Sequence, residues 1–296
     1  MKRKPLWIVI VTLCAALAGV SVRLAYAAQL GGTITSTRVL TEDSELMSDV
    51  TCAVTGAPCI AFGASGISLK LNGHSITGQG DAATGCAGTA VGAEIGIDVN
   101  SQQGVIVQGP GVIQRFRGHG VRLLNSTRVL VLLVTASTNC LSGLFVTGGS
   151  DNNLESNISV RNGNETNPCG GICLAGATRG NRVRANWLSG NGYAAQGNNF
   201  GIGLVTPGTN LNIVTDNVAV GNTNGIILVP GVEGNIIMSN LAVGNPPIQV
   251  SVNSPGTAGV DIRNQAAPGS NTVQGNVCVT SVNAICSSAE ASRRRP

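Results

Sequence analysis

The sequence predicts an all-β chain wound as a right-handed parallel β-helix, a β-solenoid. Three observations carry this: a glycine-led strand motif that recurs down the chain, asparagines repeating five residues apart in fixed phase, and a glycine-rich, charge-poor composition. The 296 residues include 41 glycines, with 11% charged and 3% aromatic side chains. That balance is unlike a globular α/β enzyme and suits short stacked strands joined by tight turns.

The chain opens on Lys2, Arg3 and Lys4, an uncharged apolar run over residues 6–22 follows, and Ala25-Tyr26-Ala27 has the small-x-small form of a cleavage site. Residues 1–27 are therefore expected to be a signal peptide. The apolar run is slightly long for a signal core, so an uncleaved anchor is the rival reading. No later segment is apolar enough to span a bilayer, so no membrane contact is expected after cleavage. Lys2, Arg3, Lys4 and Arg23 account for the whole formal charge of +4. A near-neutral mature chain whose one lysine is Lys70 lacks the basic footprint of phosphate-backbone binding, which excludes a nucleic-acid role.

Cys14 leaves with the signal. Cys52, Cys59, Cys86, Cys140, Cys169, Cys173, Cys278 and Cys286 remain as an even set in an exported chain, so disulfides are expected. Cys52 with Cys59 and Cys278 with Cys286 close short loops near the two ends, and the pairing of the other four stays open. Zinc is not expected, because there is no C-x2-C pair and only His74 and His119 to assist. No metal and no cofactor enter the reading.

The repeat unit is a glycine followed by an apolar-x-apolar triplet. It occurs as Gly66-Ile67-Ser68-Leu69, Gly96-Ile97-Asp98-Val99, Gly120-Val121-Arg122-Leu123, Gly143-Leu144-Phe145-Val146, Gly171-Ile172-Cys173-Leu174, Gly201-Ile202-Gly203-Leu204, Gly225-Ile226-Ile227-Leu228 and Gly259-Val260-Asp261-Ile262. The alternation turns one face of each strand inward, and spacings of 23 to 34 residues make each repeat one coil plus a loop. In the C-terminal half, asparagines follow in triplets: Asn152, Asn157, Asn162; Asn181, Asn186, Asn191; Asn212, Asn217, Asn222; Asn235, Asn240, Asn245; and Asn271, Asn276, with Ser281 in the third place. Asparagine tolerates left-handed turns, and its amide both donates and accepts. Stacked at corners about 4.8 Å apart, the amides are expected to bond into ladders.

The stretch Gly66-Ile67-Ser68-Leu69-Lys70-Leu71-Asn72-Gly73-His74-Ser75-Ile76-Thr77-Gly78 resembles the opening coil of the pectin-lyase-like β-helix superfamily, and the asparagine-rich coils are similar to its repeat family. The resemblance covers about residues 60–286 and implies roughly eight or nine coils. The expected organisation is a signal at 1–27, an N-terminal cap with a cystine loop at 28–60, the β-helix at 61–286 with a disulfide at its far end, and a disordered tail at 287–296. The superfamily includes lyases, hydrolases, epimerases and proteins without chemistry, so activity must be argued from the site.

Polysaccharide lyases and epimerases of this fold need a base near a uronate and a cation to neutralise its carboxylate. Arg115, Arg117, His119 and Arg122 are the densest candidate set. The glycine phase, however, stacks Arg122 on Asp98 and the asparagine phase stacks Arg184 on Glu155, which reads as cross-strand pairing. Gly118-His119-Gly120 also resembles the Gly-His-Gly element of polygalacturonases, but the chain has no adjacent aspartate pair and Lys70 lies far upstream. Calcium is not expected, since Asp98 and Asp261, read at the same offset, lie many coils apart.

Insertions leave the coils at one corner: 163–170 with Glu165, 192–200 with Tyr193, Gln196, Asn198, Asn199 and Phe200, and 246–258. Such loops are expected to build a binding face, with Tyr193 and Phe200 as a stacking platform for sugar. The run Val129-Leu130-Val131-Leu132-Leu133-Val134 is apolar on both strand faces, so a loop covers it or it is a surface for self-association. The sequence thus reads as a secreted, periplasmic or surface β-helix protein that binds polysaccharide or serves as a matrix element. A polysaccharide lyase or uronate epimerase is the alternative.

Overall fold

The computed structural model describes residues 27–80, 91–163, 170–192, 200–245 and 259–287. The leader up to residue 26, Cys86, Glu165, Cys169, Tyr193, Gln196, Asn198, Asn199, the insertion at 246–258 and the tail from residue 288 lie outside the described residues.

The described residues contain strands and turns without a helix, and every strand pair is parallel. Two sheets of 17 and 10 strands wrap one core. The 10-stranded sheet follows chain order from Arg38–Leu40 through Val121–Leu124 and Ile202–Leu204 to Ser281–Val282. Its ten strands are ten rungs, slightly more than expected. The excess comes from residues 28–60, which are rungs themselves: Ala28–Ile34 pairs with Ser44–Cys52, and that strand pairs with Ser68–Lys70 and Ser75–Thr77. The 17-stranded sheet holds two short strands on most rungs, such as Arg182–Arg184 and Trp187–Ser189, with Ala185 between them in the left-handed region at φ 55°.

Inward side chains stack in register. Ile97, Val121, Leu144, Ile172, Ile202, Ile226 and Ile262 form one buried column, each paired with the next. The glycine before each strand has a packing reason. A Cβ on Gly171 would lie 2.3 Å from the carbonyl oxygen of Gly201, and one on Gly225 would lie 2.2 Å from that of Asp261. Rungs this close leave no room for a methyl group, so glycine recurs where the corner is tightest.

Two of the eight glycine motifs belong elsewhere. Gly66 leads into the 17-stranded sheet, and the true partner of Ile97 on the preceding rung is Ile60. At the other end Ile226 pairs with Ile262, so Asp261 rather than Gly259 occupies the glycine corner. Asp98 and Asp261 are therefore not at equivalent positions; the residue in the column of Asp98 is Arg263.

The asparagine ladders form, in three columns. Asn186 shows the pattern: its backbone N–H and its Nδ2 both donate to Oδ1 of Asn217, each at 2.9 Å, and Nδ2 also donates to the carbonyl of Leu154 at 2.8 Å. Asn217 does the same to Asn240, and Asn240 to Asn276. The left-handed conformation belongs to the residue before the asparagine, as at Ser156, Ala185, Asp216 and Ser239 in the middle column, which turns the amide inward to the stack. The third column runs one rung further back than the triplets suggested, starting at Asn139, which donates to Asn162. It ends on Asp261 instead of Ser281: Oδ1 of Asp261 accepts from both the backbone N–H and the Nδ2 of Asn245.

Cys52 is bonded to Cys59 and Cys278 to Cys286, with Cα atoms 5.9 and 5.2 Å apart. Cys140 and Cys173 are also disulfide-bonded.

Candidate functional site

The candidate catalytic residues sit where the strand Ile106–Gln114 turns into the strand Val121–Leu124. Arg115 takes the left-handed corner at φ 60°, and its Nε donates to the carbonyl of Gly80 at 3.0 Å. Arg117 grips Glu94 with two parallel bonds, Nε to Oε2 at 2.6 Å and Nη2 to Oε1 at 2.5 Å. Burial works to raise the Glu94 pKa, but Arg117 and the N–H of Gly56 outweigh it and hold the carboxyl below its usual range. Arg122 meets Asp98 the same way, at 2.8 and 2.9 Å, in the register the glycine phase gave.

His119 is 8% exposed. Its ring stacks on Phe145 with centroids 4.3 Å apart and planes 3° from parallel, and its Nδ1 accepts the backbone N–H of Ser142 at 3.1 Å. Burial first, and the Arg122 charge second, lower its pKa to about 3. A neutral imidazole packed this way fixes a turn and has no open side toward a substrate. Glu94 escaped the sequence reading because it lies outside the repeated triplet; only its position two residues before Gly96 could have placed it beneath the Arg117 turn.

Phe200 corrects the expectation for its loop. It is 1% exposed and packs with Cys173, Ala175 and Ile227 in a small second core. Its ring fills the space above Gly203, where a Cβ would meet Cε2 at 2.0 Å. The ring is a lid on the outer side of the 10-stranded sheet and offers no face to a sugar.

The apolar run at 129–134 divides. Val129, Val131 and Val134 point into the core, Leu130 and Leu132 point outward, and Leu133 stands exposed on a left-handed corner. Past that corner, Thr135–Ser137 pair with Ile158–Val160, and outward apolar residues begin on that next rung. Ile158, Trp187, Val218 and Leu241 form one register column, and Val160, Ser189, Val220 and Val243 the next. Their inward neighbours Ser159, Leu188, Ala219 and Ala242 are buried, which fixes the outward direction. Trp187 is 50% exposed.

Among the described residues no three His, Cys, Asp or Glu side chains gather into a metal-holding group. Of the two histidines, His119 is stacked and buried, and His74 faces Asp49 at 3.7 Å.

No curated protein matches the chain. Among solved structures, the Dettilon tailspike protein is similar, with 15% identity and a TM-score of 0.59 over 83% of this chain and 54% of that one. Tailspike protein 2 from Escherichia coli O157:H7 bacteriophage CAB120 has 12% identity and a TM-score of 0.51, over 86% of this chain and 35% of that one. The chain spans about half or less of the length of these proteins, and likeness at such identity concerns the fold. A family model described as periplasmic copper-binding protein (NosD) matches residues 63–257. Since that match takes in more than half of its residues, the chain belongs to the NosD family.

Proposed function

We propose that this protein is an extracytoplasmic solenoid that binds polysaccharide without turning it over. The observation that carries the reading is the commitment of the titratable cluster to the scaffold. Arg117 and Arg122 are each held by a carboxylate through two bonds, and His119 is buried and neutral. A lyase or epimerase needs a base and a carboxylate-neutralising cation both facing the substrate, and here the two arginines are held by Glu94 and Asp98 and the imidazole by Phe145. Binding needs only an accessible surface, and the outer face of the 17-stranded sheet supplies one with a half-exposed tryptophan. The leader-like start, the disulfides and a family described as periplasmic support placement outside the cytoplasm.

Among the described residues, the donor set does not fit copper. Copper sites draw on imidazole, thiolate and thioether ligands. Here the described cysteines Cys52, Cys59, Cys140, Cys173, Cys278 and Cys286 are in disulfides, the two histidines are separately engaged, and the described methionines Met47 and Met238 stand on strands many rungs apart. No step in the proposed function passes through a metal.

The test is a panel of acidic and neutral polysaccharides on the purified protein. Retention of at least one, by affinity electrophoresis, is the expected result. Migration unaltered by every glycan in the panel would remove the reading.

A further inference from the structure

We infer that the outer face of the 17-stranded sheet around Trp187 is a binding platform for a carboxylated glycan. This rests on the proposed polysaccharide binding and names its place and ligand class.

The face is regular. Over four successive rungs, from Ile158–Val160 to Leu241–Val243, eight positions point outward and all but Ser189 are apolar. Ile158, Trp187 and Leu241 are exposed, at 44, 50 and 38%. A soluble chain rarely leaves such a contiguous surface bare without a use for it. Aromatic residues are scarce here, and of the two tryptophans Trp7 belongs to the leader-like segment. The other stands half in solvent on the outer face of a sheet. Packing does not explain it, because the core position of that strand is filled by Leu188.

Charge decides which ligand fits. Arg161 is exposed at the end of the neighbouring rung, and its stem lies over the next one: a Cβ on Gly190 would be 3.5 Å from its Cγ. Arg182 is exposed on the same rung as Trp187, across the corner formed by Ala185. Among the described residues neither arginine has a carboxylate within ion-pair distance. Arg184, beside that corner, is 59% exposed and reaches Glu155 and Asp216 only at 3.9 and 3.7 Å. These long contacts contrast with the tight pairs of Arg117 and Arg122. The arginines left open to a ligand therefore flank the exposed indole.

A purely apolar partner would leave those guanidinium groups without use. A sugar ring lays its C–H face on an indole, and a uronate carboxylate matches the planar fork of a guanidinium. A second copy of this chain would bring arginine against arginine wherever the same flank met itself. The combination favours a glycan bearing carboxylates.

The full chain with Trp7→Phe makes Trp187 the sole tryptophan, so its emission reports this site alone. Titration with oligogalacturonate should shift that emission and protect it from iodide quenching, while the methyl-esterified oligomer should do neither. Arg161→Gln together with Arg182→Gln, both on the surface, should weaken binding by about tenfold or more, as expected for lost charge-assisted bonds. Trp187→Ala should abolish retention, with thermal melts checking that the variants fold. Retention of acidic glycan with the Trp187 signal unmoved would place binding elsewhere and overturn this inference alone. Equal response to the esterified oligomer would overturn the ligand class. A signal that changes with protein concentration, with a dimer in sedimentation, would assign the face to self-association. Failure of every glycan to bind would instead remove the underlying reading.

Discussion

Asn186 uses its whole amide: Oδ1 takes two bonds from Asn157, and Nδ2 gives one to Asn217 and one to Leu154. Removing it orphans partners on two rungs that water cannot reach. Asn186→Ala and Asn217→Ala should each cost about 1 to 3 kcal/mol, the penalty for a buried group left without its bond; thermal melts equal to wild type would mean the ladder does not stabilise the stack. The same scale decides the role of Arg122. If its guanidinium serves to hold Asp98, then Arg122→Asp combined with Asp98→Arg should recover much of the stability that either single change loses, read as a double-mutant cycle in melting experiments. His119 gives a pH signature. Unfolded, it takes up a proton near pH 6.5, whereas in the fold it stays neutral down to about 3. Stability tied to His119 is thus complete above 6.5 and is lost as the pH falls from there toward 3. His119→Phe, which keeps a ring against Phe145, should flatten that part of the stability profile; an unchanged profile would mean the imidazole is not buried. The asparagines were legible because one residue type recurs at one spacing. Glu94 was not, because its partner Arg117 lies in a turn outside the repeat.

At the scale of the strand and its corner, phase survives only where the loops preserve it. Between Gly96 and Gly225 the glycine phase gives the observed register, because each of those glycines must clear the next rung's carbonyl. It fails at both ends. Gly66 follows a corner of the other sheet, and the insertion before Gly259 brings Asp261 into the tight corner two residues later. There its carboxylate finishes the asparagine ladder, with Oδ1 accepting from Asn245 and Oδ2 accepting the N–H groups of Val279 and Thr280. Burial works against its ionised form, but the hydrogen bonds prevail and its pKa is lowered. The loop ending at Phe200 shows the opposite limit. A scarce aromatic in a loop read as a surface platform, yet the side chain turns back onto Gly203, and no one-dimensional pattern records a glycine left empty for a ring.

At the scale of the whole molecule, two faces divide the work. The 10-stranded sheet carries the small second core around Phe200 on its outer side, whereas the 17-stranded sheet presents Trp187 and its arginines to solvent. The solenoid was legible from composition and period. The proposed binding face was not legible: the run at 129–134 lies across the Leu133 corner from it, and alternate apolar residues on three-residue strands look like ordinary core until register shows which of them point out. In the proposed function the surface around Trp187 binds glycan, and the Arg117, His119 and Arg122 cluster builds the scaffold. The most direct test is prolonged incubation of the protein with whichever acidic polysaccharide it retains, followed by measurement of unsaturated-uronate absorbance and of reducing ends. A retained glycan with neither product is expected; product formation that is abolished by His119→Ala or Arg117→Gln in folded variants would show that the cluster is catalytic instead.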